Sequence, residues 1–417
     1  MNILYINHYA GSPEMGMEFR PYYFSKKWHE AGENVDIIAA SYSHLRRKNP
    51  NVNKSFQNET IDGVKYHWIK TVDYNSNGLR RTLSIFQFVF KLWIKSGYII
   101  KKFNPDVVIC SSTYPLDTFV AQRLKKKSPK KLVYIHEFHD MWPATLIEIG
   151  GMSKNHPFVK LIAYGEKKAC RNADYIVSLL EYTEDYFLSL GAKQGRFKCI
   201  PIGIDPDKWE KKGLNNSHQI ALKNLKSDGK FIVGYFGGHA LSNALEVLIA
   251  VADRFKDKNK DIHFVLVGNG TEKKKLMENA NAGGLDNITF LPPVEKNEIP
   301  ELLSYFDCVY MGTKKSSLYR FGMCLNKMVD AMMSGKPLVC AITSPPTWAE
   351  KSGCAIITDS ENVDGISQAI EEIRLMDPEN KVQMGQNGIK FVKEELNLDI
   401  LSKRFLDIMK SLLNSTR

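Results

Sequence analysis

Short apolar runs separated by longer amphipathic stretches recur along the chain, and their order sets the expected architecture. In the first half, Ile3 to Asn7, Val35 to Ala40, Val64 to Ile69, Asp106 to Cys110, Leu132 to His136 and Tyr175 to Leu179 each read as a short strand. Runs apolar on both faces belong to parallel sheets covered by helices on each side. After the polar segment Lys211 to Gly229 the pattern restarts. Phe231 to Phe236, Ile262 to Val267, Ile288 to Leu291 and Leu338 to Ala341 are the apolar runs of a second half. Pro201, Gly203 and Pro206 break regular structure in Lys198 to Trp209, which makes that stretch the expected connector. The spacing therefore predicts α/β domains over residues 1–203 and 204–388. A tail over 389–417 carries Phe391, Leu396, Leu401, Phe405, Ile408 and Leu412 on one helical face.

Thr82 to Phe103 is long, aromatic and basic-tipped, with Ile85, Phe88, Val89, Leu92 and Trp93 at helical spacing. Two placements are open for it: a core helix of the first domain, or a helix lying on a membrane.

Composition narrows the class. A chain of 417 residues, 43% hydrophobic and 25% charged, is long enough for two full cores and has no apolar run long enough to span a bilayer. The start, MNILYIN, has no basic leader region and reads as the first strand. Seven cysteines without CxxC spacing suit reduced thiols in the cytoplasm. The net charge of +11 calls for an anionic partner, which charge alone does not choose among nucleic acid, a phosphorylated substrate and an anionic membrane surface. Basic clusters such as Arg46-Arg47-Lys48, Arg80-Arg81 and Lys125 to Lys127 concentrate in the first half.

The richest chemistry lies in Tyr319 to Ala341, YRFGMCLNKMVDAMMSGKPLVCA. Gly322 loosens the backbone before a helix expected to begin near Leu325, whose first N–H groups lack intrahelical partners and suit a phosphate. Asn326 and Asp330, four apart, share one face, with Asp330 a turn deeper where a carboxylate can accept the hydroxyls of a ribose. Lys314, Lys315 and Lys327 supply positive charge for a diphosphate. Gly335 ends the helix.

The run F-G, N-K-M-V-D, A-M-M-S-G-K-P-L-V resembles the nucleotide-sugar motif of family 4 retaining glycosyltransferases. That resemblance implies the GT-B fold: two Rossmann-like domains facing across a cleft, with a C-terminal helix crossing back to the first domain. The family's motif is E-x7-E followed by A-M-A-x-G-x-P. Asp330 stands where the second Glu belongs, and the first falls on Gly322, or on Tyr319 if counted from Phe-Gly, so it is missing here.

Other stretches offer further candidates. Gly11 and Arg20 flank a loop after the first strand that is no GxGxxG fingerprint. Relatives use that loop for donor phosphate or acceptor, which makes Arg20 a candidate contact. Glu137, His139 and Asp140, in HEFHDMWP at a strand's carboxyl end, are catalytic candidates together with Lys314. This segment resembles the E-x-x-D-x-W-P segment of bacterial members that transfer N-acetylated amino sugars, fucosamine-type enzymes among them, with His139 where an Arg often stands. Gly237 and Gly238 follow a strand and frame an anion pocket. Leu291, before Pro292-Pro293, resembles the strand end whose backbone reads the nucleobase. Gly268-Asn269-Gly270 has Lys273 at the third glycine position, which argues against a nicotinamide site. His136 and His139 lack a third ligand for zinc, and Asp205-Pro206-Asp207 belongs to the connector, so no metal site and no cofactor are expected.

The resemblance implies a transferase at the inner face of the plasma membrane. It would use a nucleotide-diphosphate sugar, UDP-linked, and a saccharide or polyprenyl-linked acceptor in O-antigen or capsule-type synthesis. A nucleotide-sugar 2-epimerase of the same fold and a non-enzymatic basic adaptor are the competing readings. RNP-like and zinc-finger signals are absent, so nucleic acid is not an expected partner.

Overall fold

A computed structural model describes residues 1–16, 19–75 and 78–415. It divides into two units, Met1–Pro201 with Leu398–Arg417, and Ile202–Asn397. The first holds an eight-stranded sheet in the order β3-β4-β2-β1-β5-β6-β7-β8. Its strands are β1 (Asn2–Ile6), β2 (Asn34–Ala40), β3 (Gln57–Ile61), β4 (Val64–Ile69), β5 (Val107–Cys110), β6 (Val133–Phe138), β7 (Tyr175–Ser178) and β8 (Phe197–Cys199). The pairings are parallel except β3 with β4, a hairpin closed by Asp62 and Gly63, both at positive φ. The helix Phe19–Glu30 follows the loop after β1. Met17 and Glu18, part of the run expected to open it, lie outside the described residues.

The second unit has six parallel strands in the order β11-β10-β9-β12-β13-β14. They are β9 (Phe231–Phe236), β10 (Ile262–Val267), β11 (Ile288–Leu291), β12 (Cys308–Gly312), β13 (Leu338–Ala341) and β14 (Ala355–Thr358). This is the doubly wound order, which reverses between β9 and β12. Alternate residues of β9 serve opposite cores: Ile232 and Phe236 pack on one face, Val233 and Tyr235 on the other.

The expected boundary at residue 389 falls inside the helix Pro378–Glu395, which belongs to the second unit. A Cβ on Gly385 would lie 1.9 Å from the Gly335 carbonyl oxygen, so glycine permits the helix to press against the end of Asn326–Met333. The tail is thus two helices broken at Leu396 and Asn397, and only Leu398–Asn414 joins the first unit. There Phe405 meets Phe24 and Trp28 edge-on at 6.0 and 5.2 Å, and Trp28 Nε1 donates to the Ser402 carbonyl at 2.9 Å.

Candidate functional site

In the second unit the site forms where strand order reverses. β9 runs into Gly237, whose φ of 128° excludes other residues, and then Gly238. The Gly238 carbonyl accepts from Tyr235 Oη at 2.7 Å and Asn243 Nδ2 at 2.9 Å, which fixes the turn. Across from it begins the helix Asn326–Met333, one residue later than expected, with Gly322 at φ 86° and no capping side chain. Its first N–H groups therefore suit an anionic ligand. Lys327 reaches from this helix to the turn: Nζ donates to Asn243 Oδ1 at 2.6 Å and lies 5.0 Å from the Tyr235 ring centroid. Burial pushes its ammonium down to about 8.

One turn deeper, Asp330 is 3% exposed and holds Lys296 Nζ at 2.6 and 2.5 Å from its two oxygens. Burial raises its pKa, and the Lys296 ammonium opposes that rise. Asn326 is exposed beside it. The structure therefore brings Gly237, Gly238, Gly322, Asn326, Lys327 and Asp330 to one end of the second sheet.

Two further cations were expected beside the motif. Lys314 Nζ is held by Glu246 and by Glu361, the latter at 2.9 Å, and these partners raise its pKa. This pairing commits the Lys314 ammonium to two carboxylates within the fold. Lys315 is exposed and its backbone N–H donates to Glu361. Leu291 ends β11, but its carbonyl already accepts from Gly268 N at 3.2 Å and Lys273 Nζ at 3.0 Å. That leaves this carbonyl committed within the fold.

In the first unit, order reverses between β1 and β5, and the residues expected after β6 gather there. Glu137 is buried between Arg20, whose Nε lies 3.0 Å from Oε1, the Tyr5 hydroxyl, and His139 Nε2 at 2.9 Å from Oε2. Arg20 and His139 hold its carboxyl far below the usual range despite burial. Arg20 also donates to the Pro201 and Ile200 carbonyls at 2.6 and 2.7 Å. The pair thus clamps the helix Phe19–Glu30 to β6 and to the end of the unit. His139 Nε2 is also 2.9 Å from Ser111 Oγ, at the end of β5. Asp140 accepts from Met141 N, Trp142 Nε1 and Thr145 Oγ1 at 2.7, 3.1 and 2.6 Å, which shapes the loop into the helix Ala144–Glu148. Gly11 is buried, with its carbonyl held by Tyr66 Oη at 2.7 Å.

Comparison with known proteins gives the lineage. Residues 16–208 match the family model described as Glycosyltransferase Family 4, and residues 217–391 match that described as Glycosyl transferases group 1. The chain belongs to glycosyltransferase family 4. It is 28% identical over 243 residues to the putative colanic acid biosynthesis glycosyl transferase WcaI of Escherichia coli K12, a match covering 56% of this chain and 58% of that protein. Sucrose-phosphate synthase from Thermosynechococcus elongatus superposes with a TM-score of 0.74 at 16% identity, over 100% of both chains. HepE from Anabaena, in complex with UDP and glucose, gives 0.67 at 15% identity, over 99% of this chain and 100% of that one. The fold is therefore GT-B.

Sequence reading missed several residues that lie beside the expected ones. Lys296 stands 34 positions before Asp330, and only tertiary structure pairs them. Tyr235 lies within an apolar strand run, and neither it nor Asn243 carries a signal of its own in the sequence. His239, next to Gly238, is fully buried with both ring nitrogens unpartnered, and burial beside Lys273 pushes it down to about 4. In the first unit, Asp117 accepts from Ser112 N at 3.0 Å while Oδ1 has no partner, and burial pushes it up to about 7. Among the described residues, no group of three or more His, Cys, Asp or Glu is placed to hold a metal ion.

Proposed function

We infer that the protein is a retaining glycosyltransferase taking a sugar from a nucleoside diphosphate, with UDP as the nucleotide and an N-acetylated amino sugar as the transferred group. The acceptor is a saccharide or a polyprenyl-linked saccharide in the assembly of a surface polysaccharide, O-antigen or capsule. One observation carries this reading. The Gly237-Gly238 turn and the uncapped start of Asn326–Met333 bracket Lys327, and a buried carboxylate lies one turn below. A diphosphate fits the N–H groups and the ammonium, and the ribose diol fits Asp330. The relative named for colanic acid biosynthesis and the HepE complex with UDP support the polysaccharide and UDP components.

In this mechanism Lys327 and the helix start stabilise charge that grows on the departing diphosphate. A diphosphate oxygen takes the proton of the acceptor hydroxyl as that hydroxyl attacks the same face of the sugar. His139 and Asp140, on the first unit's crest, serve the acceptor. Thermal-shift measurements with UDP, GDP, ADP and dTDP test the reading: UDP is expected to stabilise the protein by about 2.7 kcal/mol at a hundredfold excess over Kd. No shift with any of the four contradicts it.

A further inference from the structure

The helix Leu79–Ile94 is apolar on two faces, and the first unit covers only one. Ser84, Ile85, Phe88 and Leu92 are buried in the fold. Leu79, Leu83, Phe86, Phe90 and Ile94, at helical spacing on another face, are 88, 48, 41, 60 and 49% exposed. With Trp93 and Tyr98 they make seven of the fifteen large hydrophobic side chains exposed among the described residues. Scattered single exposures are ordinary, but a contiguous stripe marks a surface that something covers.

Charge identifies the covering. Residues 79–105 and 118–136 contain twelve Lys and Arg and no Asp or Glu. Seven of these cations, Arg80, Lys95, Lys101, Lys102, Lys126, Lys127 and Lys131, are exposed. Two of them lie against the following helix Ser96–Phe103: Lys102 Nζ is 5.6 Å from the Tyr98 ring centroid, and Lys127 Nζ is 3.5 Å from where a Cβ on Gly97 would stand. Arg123 stacks on the exposed Trp93 ring at 3.7 Å. A second copy of this face would bring like charges together, and a protein surface of mixed charge would leave many cations unmatched. A uniformly anionic sheet that also accepts aromatic and aliphatic side chains matches both features.

We propose that this face seats the first unit on an anionic lipid bilayer, with the helix lying in the interface. The helix does not cross. It bends by 65° into Ser96–Phe103, both helices bury their inner faces in the unit, and no single helix among the described residues is long and apolar enough to span. The placement is independent of the donor-site reading and gives a transferase with a lipid-linked acceptor its working surface.

The test is co-sedimentation of the full chain with vesicles of phosphatidylcholine alone or mixed with phosphatidylglycerol. Binding is expected only to the anionic vesicles, weakening as salt rises, with a blue shift in tryptophan fluorescence. The exposed double variant Phe86→Ser with Phe90→Ser should lose at least tenfold in partitioning without a change in unfolding midpoint. Lys101→Gln with Lys102→Gln should lose about thirtyfold. Wild type that ignores anionic vesicles, or variants that bind as wild type does, overturn the proposal. A dimer in sedimentation velocity that the phenylalanine variants abolish overturns it too, by giving the face to a second copy. UDP-induced thermal shifts, measured separately, report on the donor site alone.

Discussion

Lys327 answers two opposed demands. A half-buried ammonium costs folding energy, yet a diphosphate needs a cation that has already shed its water. Its pKa of about 8 in the fold lies below the unfolded value near 10.4, so the unfolded state binds more protons between those values. Stability at this position therefore rises with pH from about 8 to 10.4, and Lys327→Met should stabilise the protein at neutral pH by about 1–3 kcal/mol. Binding has the opposite dependence. An anionic ligand raises the ammonium's pKa, so UDP affinity should be level below pH 8 and fall by up to about tenfold per pH unit above it, where the phosphate no longer titrates. Calorimetric titration at pH 7, 8 and 9 checks this, and Lys327→Met should flatten the profile. For Asp140, three donors converge on the carboxylate, so Asp140→Asn leaves at least one of them facing an amide N–H. Turnover should drop well beyond twofold while UDP affinity stays near wild type. Equal losses in both would mean the change propagates through the fold.

Among the elements, the helix Asn326–Met333 depends on what presses against its far end. Gly385→Ala puts a methyl 1.9 Å from the Gly335 oxygen, and backbone cannot yield as a flexible side chain would. The helix Pro378–Glu395 should shift and carry the motif helix with it, at a cost of about 1–3 kcal/mol in stability. UDP affinity should weaken although no donor contact is removed, and denaturant melts with UDP titrations report both. The C-terminal helix is anchored differently, by Phe405 between Phe24 and Trp28. Phe405→Ala should destabilise by about 3–5 kcal/mol while leaving UDP affinity intact, because Leu398–Asn414 belongs to the first unit. Loss of UDP affinity in the folded variant would show that the helix serves the donor site.

Across the chain, strands with apolar runs were legible because such runs need no partner to be recognised. Val64–Ile69, Ile262–Val267, Ile288–Leu291 and Leu338–Ala341 form with the expected limits. β3 was not, since QNETI is mostly exposed and exists because Asp62-Gly63 folds it back on β4; that turn pair was the available signal. β12, the central neighbour of β9, ends in Gly312 and reads as the approach to the motif. Within the site, Asn326, Lys327 and Asp330 were legible because helical spacing is local. The fate of Lys314 was not, since its partners Glu246 and Glu361 lie 68 and 47 positions away. On the proposed function, a nucleoside diphosphate binds at this helix with Asp330 on its ribose. The most direct measurement is calorimetric titration of UDP into wild type, Asp330→Ala and Asp330→Glu. Charge-assisted hydrogen bonds worth roughly 1.5–3 kcal/mol predict a loss of about ten- to 150-fold for Asp330→Ala, and a milder loss for Asp330→Glu, whose longer carboxylate can still meet the diol. Unchanged UDP affinity in Asp330→Ala, with Asp330→Glu unfolded, would contradict the account and leave the helix as scaffold.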